Sequence, residues 1–278
     1  MKLADATLLV AKLEREAALL AAAISATSAA RSALSAPALE KLTEAFPSPA
    51  KAKAFLEGMP KTPNAEAILG AFATPAALAK LVDTTLGGNV RALAVLAERG
   101  CNRDPAKLKN FAETFDGNAD FQVVFTQGGL AERPEALAAL LQGGCGGDPA
   151  TLKTLCEKFK NPADALKLAG ALGAGGLGQS PEALGALAAQ GHGDALKSLA
   201  DQFTTPDDHG KLADLLTKGG LGGKAPGRPA LLADVIRDGL GNDPARLKEL
   251  HAGFIADGDA GLRQMADMLT ALDGNDQN

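Results

Sequence analysis

The chain has 278 residues, a formal net charge of −5 at pH 7, 46% hydrophobic and 22% charged residues, and neither Trp nor Tyr. That balance belongs to a core-forming chain that stays in water, and it supplies no clustered positive field for a polyanion. Between Gly87 and Gly175 ten Lys/Arg stand against ten Asp/Glu, so this stretch has no basic excess.

Asp5, Lys12, Glu14, Arg15 and Glu16 interrupt the place where a secretory signal would have its apolar core. No apolar run approaches the roughly 20 residues that span a bilayer. Three cysteines make no disulfide framework and read as reduced, packed thiols, which points to the cytoplasm.

In chain order, residues 3–23 predict an amphipathic helix, with Leu9, Leu13, Ala17 and Leu20 on one face. Residues 24–36 are Ser/Ala-rich, and 1–36 together read as a cap or tether for a repeat array. The competing reading is an export segment of the sort carried by bacterial secreted effectors. From Pro37 to residue 85 the units are abbreviated. Leu39, Leu42 and Phe46 keep helical spacing, but Phe72 follows Phe46 by only 26 residues, so one helix of a full unit is missing.

From residue 86 to 272 the pattern is regular. Leu86, Leu130, Leu177 and Leu221 lie 44, 47 and 44 residues apart, with breaks near 129, 176 and 220. Each unit predicts three helices. Helix A covers Val90–Arg99, Pro134–Gln142, Pro181–Gln190 and Pro229–Asp238. Helix B begins at Asp104-Pro105, Asp148-Pro149, Asp194-Ala195 and Asp243-Pro244. Helix C covers Ala119–Gln127, Pro162–Leu172, Pro206–Lys218 and Asp259–Leu272, before a polar tail at 273–278.

In every helix B a Leu and a Phe lie seven residues apart (Leu108/Phe115, Leu152/Phe159, Leu196/Phe203, Leu247/Phe254), with an apolar residue three after the Leu. These positions share one helix face. Nine of the fifteen prolines follow Ser, Thr, Asp or Asn, the pairing that opens a helix, and Gly pairs such as Gly128-Gly129 close one. The predicted core is therefore Leu, Ala and the series Phe46, Phe72, Phe115, Phe159, Phe203 and Phe254.

A three-helix unit of about 44 residues resembles the armadillo and HEAT class of α-solenoids, over residues 37–272 and by period and helix count. The resemblance implies an all-α superhelical stack of about five such units, the first abbreviated. It also implies a protein-interaction role. Ser180-Pro181-Glu182-Ala183-Leu184 with Gly191-His192-Gly193 has the rhythm of TAL-effector repeats, but the period is too long and the loops lack that family's residue pair.

Residue types that carry chemistry are sparse. Cys101, Cys145 and His192 occupy equivalent A-to-B loops, with Leu240 in the fourth. Stacked repeats separate such positions by about 8–10 Å, too far for one zinc with ligands at about 2.0–2.3 Å. Gly143-Gly144-Cys145-Gly146-Gly147 lacks the preceding strand and the following Lys-Ser/Thr of a phosphate loop. His251 reads as a packing histidine and Asp207-Asp208 as helix-capping acids, so no catalytic set, cofactor or metal is expected.

Lys109, Lys153, Lys197 and Lys248 keep one register in helix B, followed four residues later by Glu113, Glu157, Asp201 and Ala252. Neutralising pairs on a solvated face explain them. A lysine ladder for an acidic, extended protein partner is the functional alternative. The expected function is a non-enzymatic interaction scaffold or adaptor, with a nucleic-acid-binding repeat protein and a helical-repeat enzyme left open.

Overall fold

The computed structural model of the chain describes residues 14, 17, 34–58, 62–222 and 231–275. Among these residues every regular element is helical and there is no strand. The helix expected at 3–23 and the start of helix A at Pro229 lie outside them. The chain divides into two compact units, Met1–Gly117 and Asn118–Asn278.

The first unit holds α1 (Ala36–Ala45), α2 (Pro49–Gly58), α3 (Thr62–Ala71), α4 (Pro75–Lys80), α5 (Val90–Val95) and α6 (Pro105–Phe115). Leu42, Phe46, Phe55, Phe72, Leu93, Leu108 and Phe111 form its core. Helix α2 packs on α5, α3 on α6 and α1 on α4. Two helices lie between Phe46 and Phe72, and three between Phe72 and Phe115. By its packing on α5, α2 is a helix A and α3 a helix B. The missing element is thus a helix C, and α1 takes its place against α4.

The second unit holds α7 (Ala119–Thr126), α8 (Pro134–Ala139), α9 (Pro149–Glu157), α10 (Pro162–Ala171), α11 (Pro181–Ala189), α12 (Asp194–Gln202), α13 (Pro206–Thr217), α14 (Leu231–Asp234), α15 (Arg246–Ile255) and α16 (Asp259–Asn275). Helices of equal rank pack in succession, α8 on α11 on α14 and α7 on α10 on α13. Each helix B also packs against the helix C before it in the chain: α9 on α7, α12 on α10 and α15 on α13. Phe125, Leu152, Leu155, Phe159, Leu199 and Phe203 are buried in this frame. Phe254, predicted to join them, is only half-buried; among the described residues its helix α15 packs on α13 and α16.

Helix A also ends differently from the prediction. Its α-helical part stops at Val95, Ala139 and Asp234, and a wider π turn continues to Gly100, Gly144 and Gly239. The cause lies in the next residues. Asn102-Arg103, Gly146-Gly147 and Gly241-Asn242 all have positive φ, which turns the chain back on the helix end. The Arg103 N–H then donates to the Ala97 carbonyl at 2.9 Å, Gly147 to Leu141 at 2.8 Å and Asn242 to Ile236 at 2.8 Å. Gly and Asn tolerate that conformation best, whereas Arg103 is held by its side chain on Glu98 at 2.7 Å. Helix B starts directly afterwards, with Asp148 accepting from the N–H groups of Ala150 and Thr151 at 3.1 and 3.0 Å.

No single described helix is long and apolar enough to cross a membrane. Ala65–Ala71 and Pro75–Thr85 together have the length and composition but are bent by 106°, and their apolar residues Ile68, Leu69, Leu78, Leu81 and Val82 are buried.

Candidate functional site

The four ladder lysines share one structural situation: each follows the buried Leu of a helix B, on a helix adjoining a helix C. What each lysine meets is decided by two positions in that helix C, three and six residues after its N-cap.

Between α10 and α12 these positions are Asp164 and Lys167. Asn161 caps α10, accepting from the Asp164 N–H at 2.9 Å, and its amide donates to the Asp164 carboxylate. Lys197 reaches back to Asp164 at 3.1 Å and to Asp201 at 2.5 Å. Lys167 bridges the same carboxylates at 3.3 and 2.7 Å. Burial alone would raise the Asp164 carboxyl, but its bonds from Asn161, Lys197 and Lys167 outweigh that and hold it below the usual range. Asp201 is lowered in the same way, with burial opposed by the two lysines.

Between α13 and α15 the positions are Asp208 and Lys211. Thr205 and Asp208 form a reciprocal capping box, a device that satisfies two N–H groups at once. Lys248 lies 2.8 Å from Asp208, whose side chain is 10% exposed, and Lys211 lies 4.0 Å from it. The Lys248 hydrogen bond is the main reason the Asp208 carboxyl falls to about 2. Lys248 also stands over the Phe203 ring, 5.3 Å from its centroid.

Between α7 and α9 both positions are apolar, Phe121 and Val124. Phe121 and Val124 are buried, and Lys153 lies over the Phe121 ring at 5.6 Å, a cation–π arrangement.

Between α4 and α6 the positions are Ala77 and Lys80. Ala77 is exposed and too short to enter the crevice, and a cavity of about 120 Å³ opens there, lined by Phe72, Leu81, Lys80, Lys109, Glu113 and Asp116 among others. Lys80 pairs with Asp116 at 2.6 Å and Lys109 with Glu113 at 3.6 Å. In both pairs each side chain is about half exposed or more, so each contributes little to stability.

The four lysines are equivalent in sequence but not uniformly solvent-facing. Lys197 and Lys248 are tied into crevices with side chains 23% and 33% exposed, while Lys109 is 48% exposed. Sequence reasoning singled out the helix B lysines but not their helix C partners Asp164, Lys167, Lys211 and Phe121, and it read Asp208 as a capping acid, which it is, without its lysine partners. Counting from each N-cap would have found them.

The remaining candidates separate. Cys101, Cys145 and Cys156 are buried free thiols, with desolvation pushing Cys101 and Cys145 up to about 12 and Cys156 higher still. His192 is exposed on a left-handed turn. His251 is buried with Nε2 3.4 Å from Asp214, and His209 Nε2 lies 2.9 Å from the Phe203 carbonyl. Among the described residues no three His, Cys, Asp or Glu side chains are grouped as metal ligands would be.

Comparison with family models, with curated proteins and with solved structures finds no match to this chain.

Proposed function

We propose that the chain is a non-enzymatic protein-interaction scaffold, an α-solenoid of the armadillo/HEAT kind whose B/C crevices carry the variable, partner-reading residues. One observation supports this reading above the others. The frame repeats, with a buried Leu, a following Lys and a capped helix C, while the side chain presented to the crevice changes from Ala to Phe to Asp. Repeat proteins that read extended partners combine a constant frame with changing side chains in this manner. The lysines there are matched by nearby acids or laid over rings, which favours a protein partner over a phosphate backbone.

The partner in this proposal is an extended, acidic segment. A cytoplasmic setting belongs to the same reading, as does a role as an exported effector.

The test is selection of peptides from a display library on the full chain. Enriched peptides are expected to share a consensus and to lose binding when Lys109, Lys153, Lys197 and Lys248 are changed together to Gln, in a variant whose circular dichroism is unchanged. A library without consensus, combined with salt-sensitive nucleic-acid binding in a gel shift, would replace this reading.

A further inference from the structure

The four crevices can be compared as variants of one site. Where helix C carries a Lys six residues after its N-cap, at Lys167 and Lys211, the residue three after the cap is an Asp. That Asp lies between its own helix's lysine and the ladder lysine: Asp164 between Lys167 and Lys197, and Asp208 between Lys211 and Lys248. Where Val124 replaces the lysine, the residue three after the cap is Phe121, and the crevice is filled by a ring. In these three crevices the lysine and the carboxylate go together.

The crevice between α4 and α6 has the lysine pair without the carboxylate. Lys80 stands at the Lys167 and Lys211 position, Lys109 is the ladder lysine, and Glu113 matches Asp201. Yet Ala77 replaces the Asp, and both lysines line an open cavity.

We propose that this cavity is a docking site for an acidic side chain, Asp or Glu, of an extended partner peptide, which takes the place that Asp164 and Asp208 occupy in the later crevices. The inference rests on the scaffold reading and names the chemistry of one of its contacts. Glu113 stays with Lys109 as Asp201 stays with Lys197. Asp116 holds Lys80 only through an exposed pair, so an incoming carboxylate displaces it at little cost. The apolar floor of Phe72 and Leu81 receives the methylene groups of the docked side chain, as the walls of a filled crevice do.

Two experiments test this on the full chain. In the first, lysine side chains carry ¹³C labels, and acetyl-Gly-Asp-Gly-amide is titrated beside its Asn and Phe analogues. The signals of Lys80 and Lys109 are expected to move with the Asp peptide and not with the Asn peptide. Asp116→Asn should tighten that response by up to about fivefold, and Lys109→Met should abolish it. An equal response to the Asn or Phe peptide, or none to any of the three, overturns the proposal.

The second experiment needs no peptide. Ala77→Asp recreates the Thr-Pro-x-Asp arrangement of Thr205–Asp208, so the new carboxyl is expected to titrate below the usual range and the Asp peptide to stop binding. Its midpoint should move back up when Lys109→Met is added. An unmoved midpoint would assign the shift to helix capping alone and overturn the lysine site. If this titration fails while display still yields a consensus, the scaffold survives and the carboxylate site does not. If the titration holds and display fails, the scaffold reading is the one that falls.

Discussion

Gly185→Ala should destabilise the protein although it replaces a glycine in the middle of a helix. Helix α11 packs on the wide turn Leu140–Gly144, and the two backbones meet without side chains between them. A Cβ on Gly185 would lie 3.1 Å from the Ala139 carbonyl oxygen and 3.3 Å from the Gly143 Cα. Both neighbours are backbone and cannot swing aside. Helix propensity favours Ala by about 0.5–1 kcal/mol, and forcing a methyl into a packed interface costs about 1–3 kcal/mol. The net is a loss of about 1 kcal/mol.

Gly210 in α13 is the control, because it is exposed and a Cβ there meets nothing within 4 Å. Gly210→Ala should gain about 0.5–1 kcal/mol, which separates the two variants by about 2 kcal/mol. That difference corresponds to about 4–8 °C in melting temperature for chains approaching this size. Urea titrations followed by far-UV circular dichroism measure both. If Gly185→Ala stabilises as much as Gly210→Ala, the close approach of α11 to the turn is wrong.

Three further outcomes follow from the core and the charged crevices. Phe159→Ala should cost about 3–5 kcal/mol in chemical denaturation, and Phe254→Ala about half as much because its ring is only half-buried; an unchanged midpoint for Phe159→Ala would remove it from the core. The Asp208 carboxyl lies at about 2 against an ordinary 3.8, so its stabilisation is present above about pH 4 and lost as pH falls from about 4 towards 2. Allowing for solvent screening, Asp208→Asn should remove about 1–2 kcal/mol of that acid-side slope, and equal stability–pH curves for both proteins would contradict the Lys248 pairing. All three cysteines should react with a thiol-specific disulfide reagent only at the rate of opening, since burial keeps them protonated and covered; immediate labelling of any one would contradict its burial.

Much of the helical plan was legible because its start signals are local. A capping side chain and a Pro can be read from two adjacent residues, and Thr74, Asn118, Asp148, Asn161 and Thr205 all accept N–H bonds where a helix was expected to open. The π endings of helix A were not legible, since they depend on hydrogen bonds made by left-handed residues beyond the helix. Gly143 and Gly185 show a second limit. Each reads locally as a break or a weak point, whereas its role is to let two backbones approach. The crevices show a third: Lys109, Lys153, Lys197 and Lys248 are alike in sequence, and only the helix C beside each distinguishes a ring, a carboxylate or an open cavity.

The turn of paired left-handed residues has a bearing on how such a chain changes length. Where it follows a π turn, at Asn102-Arg103, Gly146-Gly147 and Gly241-Asn242, its length is constant, but the link from α11 to α12 is shorter and has no π turn, and Lys197 still reaches its crevice from a helix B that begins directly at Asp194. Helix C varies by a larger step. The junction Leu follows the N-cap by 12 positions at Thr74/Leu86 and Asn118/Leu130, and by 16 at Asn161/Leu177 and Thr205/Leu221. The difference of four is close to one whole helical turn, so the longer form presents the same side of the helix, one step further along its axis. Growth by complete turns in helix C therefore lengthens a unit while its crevice keeps its alignment.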